Sequence, residues 1–318
     1  MTSVVTERTP TASAEAATAA LPRRRRWRRV GLGHALQTFA FFVPGLLIFG
    51  YFAWWPMVRS VLLSFQDTNL VSDPSWVGLE NFANILADPL LWRAVVNTLT
   101  FALVSLVIGF PLPLFLATVM NELRRYGGVF RVLVYVPAAV PPVVAVLLWK
   151  WFYEPGGDGV FNRIAGFVGL GPFPWLEDPS WAIPSLVLTA TWTAAGGTVL
   201  IYLASLTAIP TELYDAAEVD GASIWRRVWH VTLPQMRGVM LILLLVQIIA
   251  TMQTFIEPYV MTDGGPQDST VTVLLLIFRY AFVYGDYGGA AALSVMLAAV
   301  LAVVSAVYLR VTRTWSQS

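Results

Sequence analysis

Long apolar stretches separated by short polar segments dominate the pattern of this chain. A membrane-spanning helix needs about 20 mainly apolar residues, and six segments meet or approach that length. They lie at residues 36–58, 94–120, 132–149, 182–207, 238–260 and 287–309. A further apolar run, Ser269–Phe278, is short and bounded by Asp268 and Arg279, so it predicts an interfacial or external helix. The pattern therefore predicts an all-α integral membrane protein with six transmembrane helices.

Composition supports a membrane protein and argues against several classes of function. Of the 318 residues, 57% are hydrophobic and 12% are charged, whereas a soluble domain carries about 25% charged residues. The absence of cysteine excludes thiolate chemistry, and the two histidines, His34 and His230, lie in different regions, which argues against a metal site. A net charge of +1 gives no electrostatic support for nucleic-acid binding. The single lysine, Lys150, follows no glycine-rich phosphate loop, so the chain is not expected to hydrolyse ATP itself.

Arginines concentrate on one side of the predicted spans when the N-terminus is placed inside the cell, as the positive-inside rule requires. The clusters are at 23–29, 124–131, 226–237 and 310–313. This orientation puts both termini and the polar segment 210–236 in the cytoplasm. Residues 1–30 are interpreted as a disordered basic cytoplasmic tail and residues 31–318 as the transmembrane domain. A cleaved signal peptide is the weaker alternative, because the stretch 36–58 is long enough to span and no small-x-small cleavage site follows it.

The predicted outer loops differ in character from the inner ones. Residues 64–93, 150–181 and 261–286 are rich in proline, glycine, tryptophan and aspartate. Such loops suit docking to a soluble partner outside the cell. Ordinary capping of the membrane surface, with aromatic rings at the headgroup level, explains them equally well, and both interpretations remain open at this point.

The segment 210–236 carries the most specific motif of the chain. It contains an Asp-Ala-Ala triplet, then Gly after three residues, then Val-x-Leu-Pro after nine more. These motif positions are Asp215, Ala216, Ala217, Gly221, Val231, Leu233 and Pro234. The segment resembles the EAA loop of ABC importer permeases, with Asp in place of Glu and Val in place of Ile. The alternative is a short amphipathic loop helix without a partner.

Local signals in this segment predict two short helices. Pro210 suits the first turn of the first helix, with Glu212 near its positive end. Gly221 is expected to end that helix, Ser223 to cap the next one, and Pro234 to close the unit. The resemblance implies a contact with a cytoplasmic ATPase. The residues expected to form it are Glu212, Asp215, Ala216, Ala217, Asp220, Gly221, Ala222 and Ser223.

Further segments resemble the carbohydrate branch of ABC permeases, which includes the maltose and glycerol-3-phosphate permeases. These segments are Trp76–Phe82, Asn97-Thr98, Val136-Pro137 with Pro141-Pro142, Ile209–Ala217 and Thr262–Pro266. The resemblance implies a type I ABC importer permease fold in a bacterial cytoplasmic membrane. It also implies a second homologous permease, two ATPase subunits and an extracytoplasmic solute-binding protein as partners. No cofactor is expected in this chain, because ATP and Mg would bind the partner ATPase.

The transport site is expected near the bilayer midplane, where a sugar needs hydrogen-bonding groups and an aromatic face. The candidates are Trp192, Thr193, Gly197, Tyr202, Thr251, Gln253, Thr254 and Glu257. The resemblance aligns 193–197 and 250–254 with substrate-contacting stretches of the maltose permeases, whose asparagines are replaced here by Thr251 and Thr254. For each polar candidate, hydrogen bonding between helices or to its own backbone is the alternative. Glu257 is either a sugar ligand or an acid solvated in the outer vestibule.

Three functions compete at this level. The first is a sugar-type ABC permease, within which glycerol-3-phosphate is a weaker substrate because no arginine lies among the candidates. The second is an ion-coupled secondary transporter, which usually carries intramembrane charges that are almost missing here. The third is a membrane-embedded enzyme, for which the sequence offers no constellation of catalytic residues at membrane depth. The sequence therefore predicts the first.

Overall fold

The computed structural model describes residues 32–122 and 127–313, so the predicted tail at 1–30 lies outside the described residues. The chain divides into two compact units, residues 1–56 and residues 57–318. In the first unit, the apolar helix Leu32–Phe49 continues into a π-helical turn at Gly50–Trp54. The second unit contains the polar loops and the helices that build the candidate site.

Helices make up nearly all of the regular structure in the described residues. The α-helices are α1 (Leu32–Phe49), α2 (Trp55–Leu63), α3 (Glu80–Ala87), α4 (Pro89–Ile108), α5 (Pro111–Glu122), α6 (Gly127–Ala139), α7 (Pro142–Phe152), α8 (Val160–Gly166), α9 (Pro179–Thr207), α10 (Thr211–Val219), α11 (Ile224–Arg227), α12 (Leu233–Met252), α13 (Val273–Phe278) and α14 (Tyr287–Thr312). Further π-helical turns lie at Val228–Thr232, Pro258–Thr262 and Arg279–Val283. Two short strands, β1 (Gln66–Asp67) and β2 (Ser75–Trp76), pair antiparallel with Gln66 opposite Trp76.

Several helical stretches among the described residues are long and apolar enough to cross a membrane. They are Phe39–Leu63, Pro89–Glu122, Pro179–Thr207, Ile224–Met252 and Tyr287–Thr312. A sixth exists if the pair Gly128–Ala139 and Pro142–Phe152, bent by 98°, is one span. The apolar helix Val273–Val283 is shorter, as expected for the seventh apolar run. These findings confirm a helical protein with several apolar spans.

The predicted bounds of the fifth span, 238–260, are wrong. The helix begins at Ile224 and ends at Met252, and residues 253–255 are not helical. Pro258 gives a physical reason, because its ring in a continuous helix would clash with the carbonyl of Thr254, four residues earlier. The chain resumes helical structure only at Ile256.

The sequence places Pro141 and Pro142 within the third apolar stretch, where proline is expected to kink a helix, and the structure confirms this kink. Pro141 precedes α7, Pro142 lies in its first turn, and the two helices on either side meet at 98°. Proline is tolerated in the first turn of a helix because the N–H that it lacks has no intrahelical partner there. The pair of prolines therefore ends one helix and starts another at this bend.

Helix α9 forms the centre of the second unit and packs against α4, α5, α6, α7 and α12. Near its Pro179 end, Ile183, Leu186 and Val187 join Val146 and Trp149 of α7 in one buried cluster. Near its Thr207 end, Val199, Tyr202 and Leu206 join residues of α5 and α12 in a second cluster. Apolar residues lie on all sides of α9, so it is not amphipathic, and it packs against five other helices.

Two adjacent glycines on α9 have opposite surroundings. A Cβ on Gly196 would lie 2.6 Å from the carbonyl oxygen of Val134 and 3.2 Å from Cβ of Ala138, both on α6, whereas a Cβ on Gly197 would meet nothing within 4 Å. Gly196 therefore allows the close approach of α6 and α9. We expect Gly196→Val to lower the free energy of unfolding by about 2–3 kcal/mol through overpacking, and Gly197→Val to have a much smaller effect. Thermal unfolding of the two purified variants in detergent tests this pair, and equal midpoints would contradict it.

Candidate functional site

A cavity of about 480 Å³ lies in the second unit, lined by α4, α5, α9 and the end of α12 with the residues that follow it. Its wall combines aromatic and aliphatic side chains with uncharged polar groups, and it has one carboxylate. The polar side chains are Ser105, Thr191, Thr193, Thr198, Gln247, Thr251, Gln253, Thr254 and Glu257. Such a mixture of apolar surface and a few polar groups is typical of small-molecule sites.

The helix break at residues 253–255 forms part of the cavity wall. In a membrane protein, non-helical backbone is tolerated where it is buried in protein or lines a cavity. One of the backbone groups freed here is satisfied, because the hydroxyl of Thr272 donates to the carbonyl oxygen of Thr254 at 2.9 Å. Broken helices at membrane depth recur at the substrate sites of transporters, so the break marks this cavity as the candidate site.

Five of the predicted ligand residues line the cavity: Thr193, Thr251, Gln253, Thr254 and Glu257. The other three are outside the lining. Trp192 packs against Trp149 with ring centroids 5.5 Å apart, and Tyr202 is fully buried in the cluster at the other end of α9. Gly197 is exposed. The assignment of all eight to a substrate remains a prediction.

Sequence reasoning missed four polar residues of the wall: Ser105, Thr191, Thr198 and Gln247. Ser105 lies on α4, within the second apolar stretch of the sequence, and was not among the predicted ligands. A signal was present, because Ser105 and Gly109 are four residues apart and so lie on the same side of the chain's helical path. A Cβ on Gly109 would lie 3.0 Å from Oγ1 of Thr191 and 3.1 Å from Nε2 of Gln247, so this glycine lets the polar groups of α9 and α12 approach α4.

The cavity hydroxyls bond partly to their own helices, as the alternative interpretation anticipated. Thr251 Oγ1 donates to the carbonyl of Gln247 at 2.9 Å, and Thr193 Oγ1 donates to that of Ala190 at 2.9 Å. A hydroxyl that donates to its own backbone still has acceptor lone pairs. Thr254 instead donates to Oε2 of Glu257 at 3.3 Å, which orients the carboxylate beside the helix break.

The Asn97-Thr98 pair of α4 fixes the segment that follows the cavity. Asn97 Nδ2 donates to the carbonyls of Asp268 at 2.7 Å and Val271 at 3.0 Å. Thr98 Oγ1 accepts from the amide of Val273 at 3.0 Å. Together these bonds position residues 268–273, and Thr272 within that segment reaches the helix break. The pair therefore supports the cavity indirectly.

The Thr262–Pro266 motif forms a tight turn beside this segment. Asp263 and Gly264 both have positive φ, 47° and 83°. Arg279 Nη2 donates to the carbonyl of Asp263 at 2.6 Å, and a Cβ on Gly264 would lie only 2.7 Å from that same nitrogen. The turn therefore requires glycine at this position for its conformation and for the arginine contact.

A further bond ties two distant segments of this region together. Tyr280 donates its hydroxyl to Oδ2 of Asp88 at 2.6 Å, while Oδ1 of Asp88 caps α4 at the amide of Leu90. Burial, and after it the bond to Asp88, raises the pKa of the Tyr280 phenol above its ordinary value. The phenol therefore keeps the proton that this bond needs at neutral pH.

The predicted short helices of segment 210–236 are present as α10 and α11. Gly221 has φ +70°, and the amide of Ala222 donates to the carbonyl of Ala217 at 2.9 Å, which is a left-handed helix end of the expected kind. Ser223 caps α11 by accepting from the amide of Arg226 at 3.4 Å. Pro210 precedes α10 rather than lying in its first turn.

The expectation that Pro234 closes the unit is wrong. Pro234 lies in the first turn of α12, inside a helical run that continues from Ile224 to Met252. A π-helical turn at Val228–Thr232 joins α11 to α12. Proline causes no break when it occupies the first turn of a helix, so the second short helix and the fifth apolar span form one continuous rod.

The α10 helix is exposed but anchored. The eight predicted contact residues lie in α10 and in the turn that follows it. They are exposed except Ala217 and Ala222, which are half-buried, and Val219 at the end of α10 is 88% exposed. Tyr214 packs against the buried cluster of α9 and α12, and its hydroxyl lies 3.1 Å from Oγ1 of Thr232. The helix is thus linked to α9 and α12, two of the helices that line the cavity.

Comparison with known proteins shows the family of this chain. The model of the family described as "binding-protein-dependent transport system inner membrane component" matches residues 109–317. The chain is 33% identical to the sulfoquinovosyl glycerol transport system permease protein SmoG of Agrobacterium fabrum, over 92% of this chain and 95% of that protein. It is 32% identical to the trehalose/maltose transport system permease protein MalF of Thermococcus litoralis, over 91% of this chain and 96% of that protein.

A solved structure shares the fold over nearly the full length. It is a bacterial ABC transporter involved in the import of the acidic polysaccharide alginate, and one of its chains superposes with a TM-score of 0.78 at 26% identity. The match covers 91% of this chain and 98% of that one. The resemblance to ABC importer permeases stated from the sequence is confirmed. The chain is a multi-pass membrane protein and belongs to the family of binding-protein-dependent transport system inner membrane components.

Proposed function

We propose that this protein is one of two permease subunits of an ATP-driven importer that moves a sugar into a bacterial cell by alternating access. The observation that carries the proposal is that one chain joins a polar cavity at a broken helix to an exposed helix of EAA type. Six spans, with α6 and α7 forming one bent span, would leave both termini and α10 in the cytoplasm. The chain itself is non-catalytic, since ATP and Mg would bind the partner ATPase.

Sugar is the substrate class that the cavity chemistry favours. Hydroxyl and amide side chains around the helix break match the donors and acceptors of sugar hydroxyls, while Phe255 supplies aromatic surface. The relatives SmoG and MalF are named for sulfoquinovosyl glycerol and for trehalose and maltose. We propose a disaccharide or oligosaccharide as the substrate.

Coupling would pass through α10 without any chemistry in this chain. Closure of the two ATPase subunits on ATP would move α10, and its anchorage through Tyr214 would transmit the movement to α9 and α12. Because both helices line the cavity, the cavity would open alternately to the two sides of the membrane. A ligand or nucleotide shifts such an equilibrium only by its differential affinity for the two states. The small residues Ala216, Ala217 and Gly221 would let α10 seat closely in the ATPase.

A secondary transporter and a phosphate-ester importer are less well supported. Ion coupling usually relies on intramembrane acids or bases, and Glu257 is the only charged residue lining this cavity in the described part of the chain. A glycerol-3-phosphate ligand would call for an arginine or lysine beside it, which the lining lacks.

Uptake by the complete transporter tests the proposed function. The permease pair, ATPase and binding protein are reconstituted in proteoliposomes and offered radiolabelled maltose, trehalose, lactose and an alginate trisaccharide. We expect ATP-dependent uptake of at least one sugar that persists with a protonophore. Uptake that needs an ion gradient, or ATP-independent uptake by this chain alone, would contradict the proposal.

Thr254 offers a sharper test of the cavity. We expect Thr254→Val to raise the KM for sugar uptake about tenfold, because the substitution removes the hydroxyl at the helix break and leaves Glu257 unoriented. Thr100→Val is the matched control, since Thr100 bonds only its own helix at Val96 and is outside the cavity. An unchanged KM for every transported sugar in Thr254→Val would remove Thr254 from the site.

A further inference from the structure

The cavity lacks a group that would hold an anion. None of the described residues that line it is lysine, arginine or histidine. Its single acidic group is the carboxyl of Glu257, which is half-buried beside the helix break. The remaining polar groups are uncharged hydroxyls and amides. The wall that this chain contributes therefore has uncharged polar groups, one acidic group and no basic group.

Three basic side chains of the second unit, Arg93, Lys150 and Arg279, have partners outside the cavity. Lys150 Nζ donates to the carbonyl of Val260 at 3.1 Å and borders a separate pocket that contains Glu154 and Glu177. Arg93 and Arg279 both lie 3.8 Å from the carboxylate of Asp268. None of these three cations lines the cavity, so they do not neutralise an anion at the helix break.

An anionic solute would be unfavourable here for two physical reasons. A carboxylate or sulfonate that leaves water without a cationic partner loses its hydration without compensation. The carboxylate of Glu257 adds repulsion, which is stronger in a site of low dielectric constant than in water. A neutral sugar meets neither penalty and can donate its hydroxyls to the carboxylate oxygens.

We propose that the solute of this transporter is an uncharged glycan and that Glu257 selects against anionic glycans. This inference rests on the proposed function, which it deepens. The proposed substrate differs from those in the names of two similar proteins. SmoG is named for sulfoquinovosyl glycerol, and the transporter of similar fold is involved in the import of the acidic polysaccharide alginate. Glu257 is then a specificity residue: it lines the cavity, and its Oε2 accepts from the hydroxyl of Thr254.

The test compares a neutral glycan with its own acid. The best neutral substrate of the uptake panel is oxidised at a C6 primary hydroxyl to the corresponding uronic acid, and uptake of both is measured with the complete transporter. We expect the acid to enter at least tenfold more slowly in the wild type. In Glu257→Gln, which keeps an acceptor for Thr254, we expect this ratio to fall severalfold. Because the binding protein is the same in both assays, the change in ratio reports on this chain.

Glu154→Gln is the matched control, since it removes a carboxylate from the separate pocket beside Lys150 and should leave the ratio unchanged. An equal ratio in wild type and Glu257→Gln would overturn the inference, as would the same fall in Glu154→Gln. Alginate trisaccharide as the best substrate would also overturn it, while leaving the proposed function intact. If ATP drives uptake of none of the sugars, the proposed function fails and this inference fails with it.

Discussion

Replacing Asn97 by Asp is expected to destabilise the protein by about 3 kcal/mol or more. The two residues have nearly the same shape, but the amide of Asn97 donates to the carbonyls of Asp268 and Val271. A carboxylate has no hydrogen to donate, so both carbonyls would lose their partner and face a buried negative charge instead. Asn97 is only 8% exposed, so water cannot easily replace the lost bonds. The thermal unfolding midpoint of the purified protein measures the effect.

Asn69→Asp is the control for this prediction. Asn69 uses its oxygen, Oδ1, to accept from the amides of Val71 and Ser72, and an aspartate oxygen accepts equally well. The same substitution should therefore be nearly neutral at Asn69 and severe at Asn97. Similar unfolding midpoints for the two variants would show that the Asn97 bonds do not hold residues 268–273.

Replacing Gly221 by Asp is expected to reduce ATP-dependent uptake at least tenfold while leaving the protein folded in the membrane. Gly221 has φ +70° and a Cβ there would meet nothing within 4 Å in this chain. The cost to folding is therefore limited to backbone strain of about 1–2 kcal/mol. The large expected effect comes from bulk and charge placed where α10 seats in the ATPase. Uptake and the amount of co-purified ATPase are the two measurements.

Gly169→Asp is the matched control for the coupling helix. Gly169 has φ +73° and equally open surroundings, but it lies in the loop between α8 and α9, on the opposite side in the proposed topology. It carries the same strain and the same added charge. If Gly169→Asp impairs uptake and ATPase binding as strongly as Gly221→Asp, strain explains both effects and α10 loses its assigned role.

Local chemistry made much of the coupling segment predictable from the sequence. A glycine after a short helical pattern usually ends that helix, and a serine before the next pattern usually caps the next one. Gly221 and Ser223 do this here. The apolar spans were visible for the same reason, since length and hydropathy suffice to find them. The bend at Pro141-Pro142 followed from the geometry of proline alone.

Features that depend on contacts between residues far apart in the sequence were not predicted. The bounds of the fifth span were wrong because hydropathy does not take into account the clash that Pro258 would make with the carbonyl of Thr254 in a continuous helix. The hydroxyl of Thr272 donates to that carbonyl although the two residues are 18 positions apart in the sequence, and a local sequence pattern cannot predict such a pair. Ser105 and Gln247 were missed because they lie far apart in the chain and converge only when α4 and α12 pack together.

The central claim is that this chain works as a permease coupled through α10 to a separate ATPase. Purification of the protein from its native membrane in mild detergent, with the co-purifying chains identified, tests it most directly. We predict that wild type brings down a second permease and an ATPase, and that Gly221→Asp keeps the permease and loses the ATPase. A chain that purifies alone and still transports its solute would contradict the account.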